Sequence, residues 1–140
     1  MQFSKRIGAA AGLAAASALF AAGASAEGLD GSRNMVCAAV SVVACTENHA
    51  CFQGLAKHFG LPEVMIVDMN AKRVRGSAES GYKQDSPIKN AESTGSQFVV
   101  QGVENGHGWS MSVDRATGRM ATILSGELVS YMIFGTCTAQ

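Results

Sequence analysis

The C-terminal third of the chain alternates apolar and polar residues in the pattern of half-buried antiparallel strands. Trp109, Met111 and Val113 are separated by polar side chains, so one face of this strand is predicted to be buried. Asn105 and Gly106 precede it and favour a type I′ hairpin turn, because both residues adopt positive φ readily. Further strands are predicted at 98–104, 120–124 and 128–134, which completes a four-stranded meander.

The preceding half of the chain is predicted to add more strands. An apolar run at 35–45 is bounded by polar residues, which indicates a strand that is buried on both faces or anchored by cysteines at its ends. Strands at 64–68 and 73–75 flank a predicted turn at 69–72. Residues 76–96 are polar and rich in turn formers, so we expect them to be mostly irregular, with one short strand around Ile88.

A helical stripe lies between these strand regions. Phe52, Leu55 and Phe59 have the i, i+3, i+7 spacing of one helix face, and Gly60 suits the position that ends a helix. We therefore expect one short helix near residues 50–60. The whole pattern predicts a mostly β single domain, an antiparallel meander that forms a curled sheet or a small barrel.

The first 26 residues have the three parts of an export signal. Lys5 and Arg6 supply positive charge, a run of small and apolar residues follows, and Ala-Ser-Ala at 24–26 is a pattern that signal peptidase accepts. An uncleaved membrane anchor is the alternative, but Ala and Gly partition weakly into hydrocarbon. We predict cleavage before Glu27, one exported domain at 27–140 without a membrane span, and a periplasmic or secreted location.

Charge and length limit the function classes. Lys5 and Arg6 leave with the signal, so the mature chain carries nine basic and eleven acidic residues, a net charge of −2 with His neutral. A nucleic-acid binder needs a cationic face for its phosphate contacts, so we exclude that class. A chain of this length can form one hydrophobic core but not two.

Four cysteines are predicted to staple the mature domain: Cys37, Cys45, Cys51 and Cys137. An even set in a small exported chain predicts two disulfides, and four cysteines allow three connectivities. We favour Cys45–Cys51, which closes a short polar loop, together with Cys37–Cys137, which joins the first strand to the last. In the chain-entropy model the long-range bond stabilises the fold by about 4–5 kcal/mol.

Several short motifs resemble those of small, exported, uncharacterised β-rich proteins of proteobacteria. They are the cysteine cluster at 37–51, the Leu-Pro pair at 61–62 before a strand that ends at Asp68, the segment at 106–118 and the closing motif at 134–137. This resemblance implies export, β structure and disulfides, and it implies no activity. A second resemblance, in size, export and cysteine stapling, is to the periplasmic β-barrels that inhibit lysozymes. No functional residue carries over from that family.

Catalytic residue types are present without a catalytic pattern. The G-x-S-x-G nucleophile elbow is absent, and cysteines held in disulfides leave no thiolate for attack. The candidate imidazole bases are His49, His58 and His107. Asp68, Glu104 and Asp114 fall at predicted strand ends, where paired carboxylates could line one barrel rim and perform acid–base chemistry. Acids at strand ends more often form turns, so we do not expect an enzyme.

A metal site is a further candidate. Cys45, His49, Cys51 and His58 offer thiolate and imidazole groups, which suit zinc or copper. Oxidation after export would remove both thiolates, so we expect neither a metal ion nor another cofactor.

Binding is the function class that remains. The leading hypothesis is a non-catalytic exported protein that binds a protein or an envelope component, and lysozyme inhibition is its sharpest version. The alternative is a carrier of a small apolar ligand inside a barrel, and a metal-binding protein ranks third. The candidate inward side chains for such a pocket are Phe98, Trp109, Met111, Met132 and Phe134.

Overall fold

The computed structural model describes residues 27–83 and 85–140, which form one antiparallel β-barrel. The predicted export signal lies outside these residues. The strands are β1 (Met35–Thr46), β2 (Phe52–Gly54), β3 (Val64–Asp68), β4 (Arg73–Gly76), β5 (Asp85–Thr94), β6 (Gln97–Glu104), β7 (His107–Asp114), β8 (Arg119–Ser125) and β9 (Val129–Ala139). β1 pairs with β3, each of β3 to β8 pairs with the next strand, and β9 returns to pair with β1, which closes an eight-stranded barrel. The predicted mostly β fold is confirmed.

Both favoured disulfides are present. Cys37 lies directly opposite Cys137 in the β1–β9 pairing, and the two residues are bonded to each other. The second bond joins Cys45 at the far end of β1 to Cys51 just before β2. The long bond therefore holds the strand pair that closes the barrel, and the short one holds β2 against β1.

The interior is filled by every second residue of each strand. On β1, Met35, Cys37 and Val42 are buried, whereas Val40 lies at a bulge and is 63% exposed. The prediction that this strand is buried on both faces is wrong, because the wall of a barrel has only one face toward the core. The prediction of cysteine anchoring at its ends is confirmed.

The predicted short helix is a single 3-10 turn, Ala56–Phe59. Phe52 lies instead in β2 and is exposed, because the Cys45–Cys51 bond places the residues after it beside β1, where they pair with Val42–Ala44. Gly60 ends the turn with φ at 68°, as its type suggested.

The segment predicted to be irregular contains one of the longer strands. β5 spans Asp85–Thr94, and its residues from Ile88 onward pair with β6, while only Asp85, Ser86 and Pro87 pair with β4. The second half of β5 therefore pairs with β6 and not with β4, and its side chains from Lys89 to Thr94 are exposed. Without a buried face, this half has no apolar alternation, which explains why its sequence resembles a loop.

The two ends of the barrel differ. At the end where β1 begins and β9 finishes, residues 27–34 cross the opening and Leu29 inserts with 2% of its surface exposed. The carbonyl of Asn34 accepts the amide of Gln140 at 2.8 Å, and its side-chain oxygen accepts the amide of Met69 at 2.8 Å. We call this the plugged end. The opposite end, where β6 and β8 finish and β7 and β9 begin, is the open end.

In the described part of the chain, no helix has the length and apolarity needed to cross a membrane.

Candidate functional site

A cavity of about 60 Å³ lies inside the barrel at the open end. A wider vestibule of about 200 Å³ adjoins it toward solvent. Both spaces are lined by the same five residues: Leu61, Tyr82, Glu104, Trp109 and Leu124. Deeper in, the cavity wall is mostly apolar, with Met65, Val74, Met111 and Ile133. The inner space exceeds the roughly 10–15 Å³ that one water needs, and a concave apolar site with few polar groups is typical of ligand pockets.

Trp109 is fixed on one side of this cavity. It faces inward from β7 and packs flat on Gly102 of β6, where any added Cβ would collide with the indole ring. Its indole Nε1–H donates to the hydroxyl of Ser86 on β5 at 2.6 Å, and both residues are buried. A buried indole that is hydrogen-bonded and packed on a glycine has little freedom to move, so this wall is pre-formed.

Glu104 brings a carboxyl group into the opening. It is the last residue of β6, lies opposite His107, and has the same inward parity as buried Gly102. Its Oε1 atom is fully enclosed and has no hydrogen-bond partner among the described residues. Burial raises the pKa of this carboxyl, the charge of Asp85 raises it further, and His107 opposes the shift. The neighbouring Tyr82 also has a raised pKa, through burial and then the charge of Glu104.

Thr122 supplies a second polar atom within the same cavity. It lies between Met111 and Ile133 in the registers of β7, β8 and β9 and is 3% exposed. Its hydroxyl, like the Glu104 oxygen, makes no hydrogen bond within the described residues. Buried polar atoms are nearly always hydrogen-bonded, so two unpartnered atoms on one cavity wall mark a place where a ligand could bond.

The three strand-end carboxylates do not share a rim. Asp68 and Asp114 lie at the plugged end and Glu104 at the open end, because β6 runs opposite to β3 and β7. Asp114 accepts the amide and hydroxyl of Thr117 at 2.8 and 2.9 Å, and these bonds lower the pKa of its carboxyl. Asp68 accepts the amide of Ala71 at 2.8 Å. Both therefore form turns, and the predicted single rim of three carboxylates is wrong.

The histidines and cysteines do not combine into a centre. Cys45 and Cys51 are bonded to each other, so neither offers a thiolate. His58 is exposed, and its Nδ1 accepts the amide of Leu55 at 3.3 Å. Within the residues that the structure describes, no group of three or more His, Cys, Asp or Glu side chains is placed to hold a metal ion. Of the three histidines, His107 belongs to the opening, where it lines the vestibule.

Three of the five predicted inward residues are correct. Phe98, Trp109 and Met111 are buried. Met132 and Phe134 are 38% and 46% exposed, because Ile133 faces the interior and its neighbours must face outward. Thr122, Tyr82 and Ser86 line the cavity but are not among the predicted inward residues. A signal existed for Thr122 alone, since it alternates with Met120 and Leu124 and so shares their inward face.

Comparison with known proteins adds no family. No family model matches the chain, and neither a curated protein nor a solved structure is significantly similar to it.

Proposed function

We propose that this chain is a non-catalytic binding protein that holds a small ligand, or a small protruding group of a larger one, in the open end of the barrel. The observation that carries the proposal is the pair of unpartnered buried oxygens, on Glu104 and Thr122, that face one cavity. Leaving a buried polar atom unbonded costs about 1–3 kcal/mol, and a ligand that bonds both atoms would recover that cost.

Size limits what the site can hold. The inner cavity and the vestibule, at about 60 and 200 Å³, are small beside the roughly 300–1,000 Å³ of typical small-molecule pockets. The ligand, or the part of it that enters, is therefore only a few heavy atoms across. A fatty-acid-sized molecule, as in large carrier barrels, does not fit this space.

Trp109 gives a direct test, because it is the single tryptophan and lies in the pocket wall. We would follow its fluorescence while titrating butylammonium, butanol and butyrate, a matched set that we call the butyl series. At least one member should give a saturable change. Thr122→Met, which fills the cavity, should abolish it, whereas Val103→Met on the outside of β6 should not. Saturation that survives Thr122→Met would contradict the proposal.

A second candidate function rests on the outer face of the barrel. Ile123 lies opposite Met132, Ala121 lies opposite Phe134, and all three large side chains are exposed, with Val40 beside them. An apolar stripe of this kind supports the binding of a protein or an envelope component. Lysozyme inhibition is the sharpest version. Protection of a cell-wall substrate in a turbidity assay, lost in Phe134→Ser, would support it, and no protection from several lysozymes would remove it.

Export is part of the proposal. The residues at 1–26 have the signal pattern described above, and two disulfides suit an oxidising compartment such as the periplasm or the exterior. Intact-mass measurement of protein recovered from the export compartment should give a chain that begins at Glu27 with both bonds formed. Four free thiols would contradict an oxidising location.

A further inference from the structure

We propose that the group bound at the open end is a primary ammonium carried on a short, unbranched apolar stem. This inference rests on the binding function proposed above and names the chemistry of its ligand. It is carried by three features of the same cavity: two hydrogen-bond acceptors, a set of aromatic side chains, and an apolar floor.

The acceptors require a donor. An ionised Glu104 can only accept hydrogen bonds, and the Thr122 hydroxyl has two lone pairs of its own. A primary ammonium has three N–H donors, no acceptor and a positive charge, so it can bond the Glu104 carboxylate at the opening. Thr122 lies deeper, because its β7 partner Met111 pairs with Val100, four residues before Glu104 on β6. A carboxylate ligand would instead place negative charge beside Glu104, and an alcohol can donate to Glu104 but brings no charge.

The aromatic side chains favour a cation. Trp109 and Tyr82 line both the cavity and the vestibule, and Tyr131 lines the vestibule. The Tyr131 ring is held edge-on by Phe59, with ring centroids 6.1 Å apart and planes at 65°. Rings attract a cation through their negative faces, and aromatic side chains around an opening are a recurrent way to bind ammonium groups.

The remaining wall of the cavity suits an apolar stem. Leu61 and Leu124 line the passage from the vestibule, and Met111 and Ile133 lie deeper. Arg75 also borders the cavity, but it is exposed and lies opposite Asp85, whose carboxyl pKa it helps to lower. That carboxylate is bonded by Arg73 through both oxygens, so the exposed Arg75 charge is screened mainly by solvent.

Proton linkage gives a second expectation. Burial raises the pKa of Glu104, with Asp85 adding to the shift and His107 opposing it. Tyr82, Tyr131 and Arg75 also line the two spaces that Glu104 borders. A bound ammonium would favour the charged carboxylate and reverse the shift. Affinity for the ammonium should therefore fall as pH falls through the pKa of Glu104. His107 lines the same vestibule, so the pH series is repeated in His107→Gln.

The test is the butyl series titrated against the intact mature protein, with Trp109 fluorescence as the signal. We expect butylammonium to bind at least about tenfold more tightly than butanol, the gain of one charge-assisted hydrogen bond. Glu104→Gln should remove most of that tenfold preference by lowering the affinity for butylammonium more than the affinity for butanol. Glu127→Gln removes an exposed carboxylate after β8, near the same end of the barrel, and should change neither.

The outcomes separate the two proposals. If butanol or butyrate saturates the signal as tightly as butylammonium, the open end binds ligands but the ammonium assignment is wrong. If butylammonium binds tightly and Glu104→Gln has no effect, the ammonium lies elsewhere, and the assignment is equally wrong. If no member of the series saturates the signal, the binding function itself fails.

Discussion

The plugged and open ends of the barrel are built from the same alternation of inward and outward residues, yet one is solid and the other is hollow. At the plugged end, Met35, Phe98, Val113 and Met120 are almost wholly buried, and Leu29 fills the space between them and solvent. At the open end, Ala56 of the 3-10 turn is also buried, but a cavity bordered by Leu61 and Tyr82 remains, and inward positions carry Gly102, Glu104 and Thr122.

This comparison shows that the cavity at the open end results from the residues at a few inward positions and not from the arrangement of the strands. Gly102 leaves the space that Trp109 occupies, and the Trp109 ring is then held by Ser86 at one side of the barrel. Thr122 is shorter and more polar than the Met and Leu that flank it on the same face of β8. We therefore expect the plugged end to carry stability and the open end to carry function.

Removing each disulfide in turn should give the largest difference in stability between the two ends of the barrel. Cys37–Cys137 closes a separation of 100 residues near the plugged end, whereas Cys45–Cys51 closes only 6 at the other end of β1. Replacing the first pair with alanine should lower the free energy of unfolding by about 4–5 kcal/mol, and replacing the second pair by about 2 kcal/mol. Urea denaturation of the two double variants measures both. Equal losses would contradict the assignment of the main staple to the plugged end.

Replacing a leucine with alanine should also cost more stability at the plugged end than at the open end, with a smaller difference than for the disulfides. Leu29→Ala removes a wholly buried side chain and should cost about 2–4 kcal/mol, because the surrounding core cannot close the cavity completely. Leu61→Ala removes a half-buried side chain that borders a cavity, so it should cost about 1 kcal/mol or less. Denaturant unfolding of both variants checks the ranking, and a reversed order would show that residues 27–34 do not act as a plug.

Removing the two buried hydroxyls at the open end, one at a time, should change the free energy of unfolding differently. Ser86→Ala leaves the Trp109 indole N–H unbonded, which should cost about 1–2 kcal/mol. Thr122→Val removes a hydroxyl that has no partner among the described residues, so stability should stay unchanged or rise by about 1 kcal/mol. If Thr122→Val destabilised the fold as much as Ser86→Ala, the hydroxyl would have a structural partner and would not mark a binding site.

Glu104 should produce the smallest effect, visible as a pH dependence. In the folded protein, the pKa of the Glu104 carboxyl is raised above the ordinary 4.5, because burial disfavours the charged form. The free energy of unfolding therefore falls as pH rises from 4.5 through the raised pKa, and below 4.5 this loss is absent. Glu104→Gln should therefore stabilise the protein at neutral pH, by at most about 1 kcal/mol because the residue is only half-buried, and should give no such gain below pH 4.5. Unfolding free energies on both sides of that pH measure it.

Comparison with the wild type isolates this effect from other carboxylates. Asp85 and Asp114 have lowered pKa values, through Arg73 and through the Thr117 turn, and give the opposite trend. Asp114 lies at the other end of the barrel and cancels in the difference, whereas the repulsion between Asp85 and Glu104 is part of what Glu104→Gln removes. Glu127→Gln, which changes an exposed carboxylate, should show no pH-dependent gain. A Glu104→Gln curve parallel to that of the wild type would show that burial does not act on this carboxyl.

The sequence predicted most of the fold because its signals are local. Asn105 and Gly106 do adopt φ of 49° and 80°, and Trp109, Met111 and Val113 do face the core. The predictions failed where distant parts of the chain decide the structure. Phe52 is drawn into β2 by the Cys45–Cys51 bond, and β5 gains its second half from pairing with β6 although neither of its faces is buried.

The pocket was harder to predict than the fold. The sequence pattern places Glu104 at the end of a strand. It does not show at which end of the barrel that strand finishes, or which other carboxylates lie there. Thr122 has the right parity, yet nothing local indicates that its hydroxyl lacks a partner. Tyr82 and Ser86 line the cavity because β4 and β5 form part of the closed barrel wall at the open end. Their neighbours in sequence carry no sign of this placement.

The most direct test of this account is an amide chemical-shift map of the labelled mature protein during titration with butylammonium. We predict saturable shifts confined to the open end, around Glu104, Trp109 and Leu124, with Leu29 and Phe98 at the plugged end unchanged. Shifts confined to the outer face around Ile123 and Phe134, or shifts that do not saturate, would contradict the claim that the open end is a binding site.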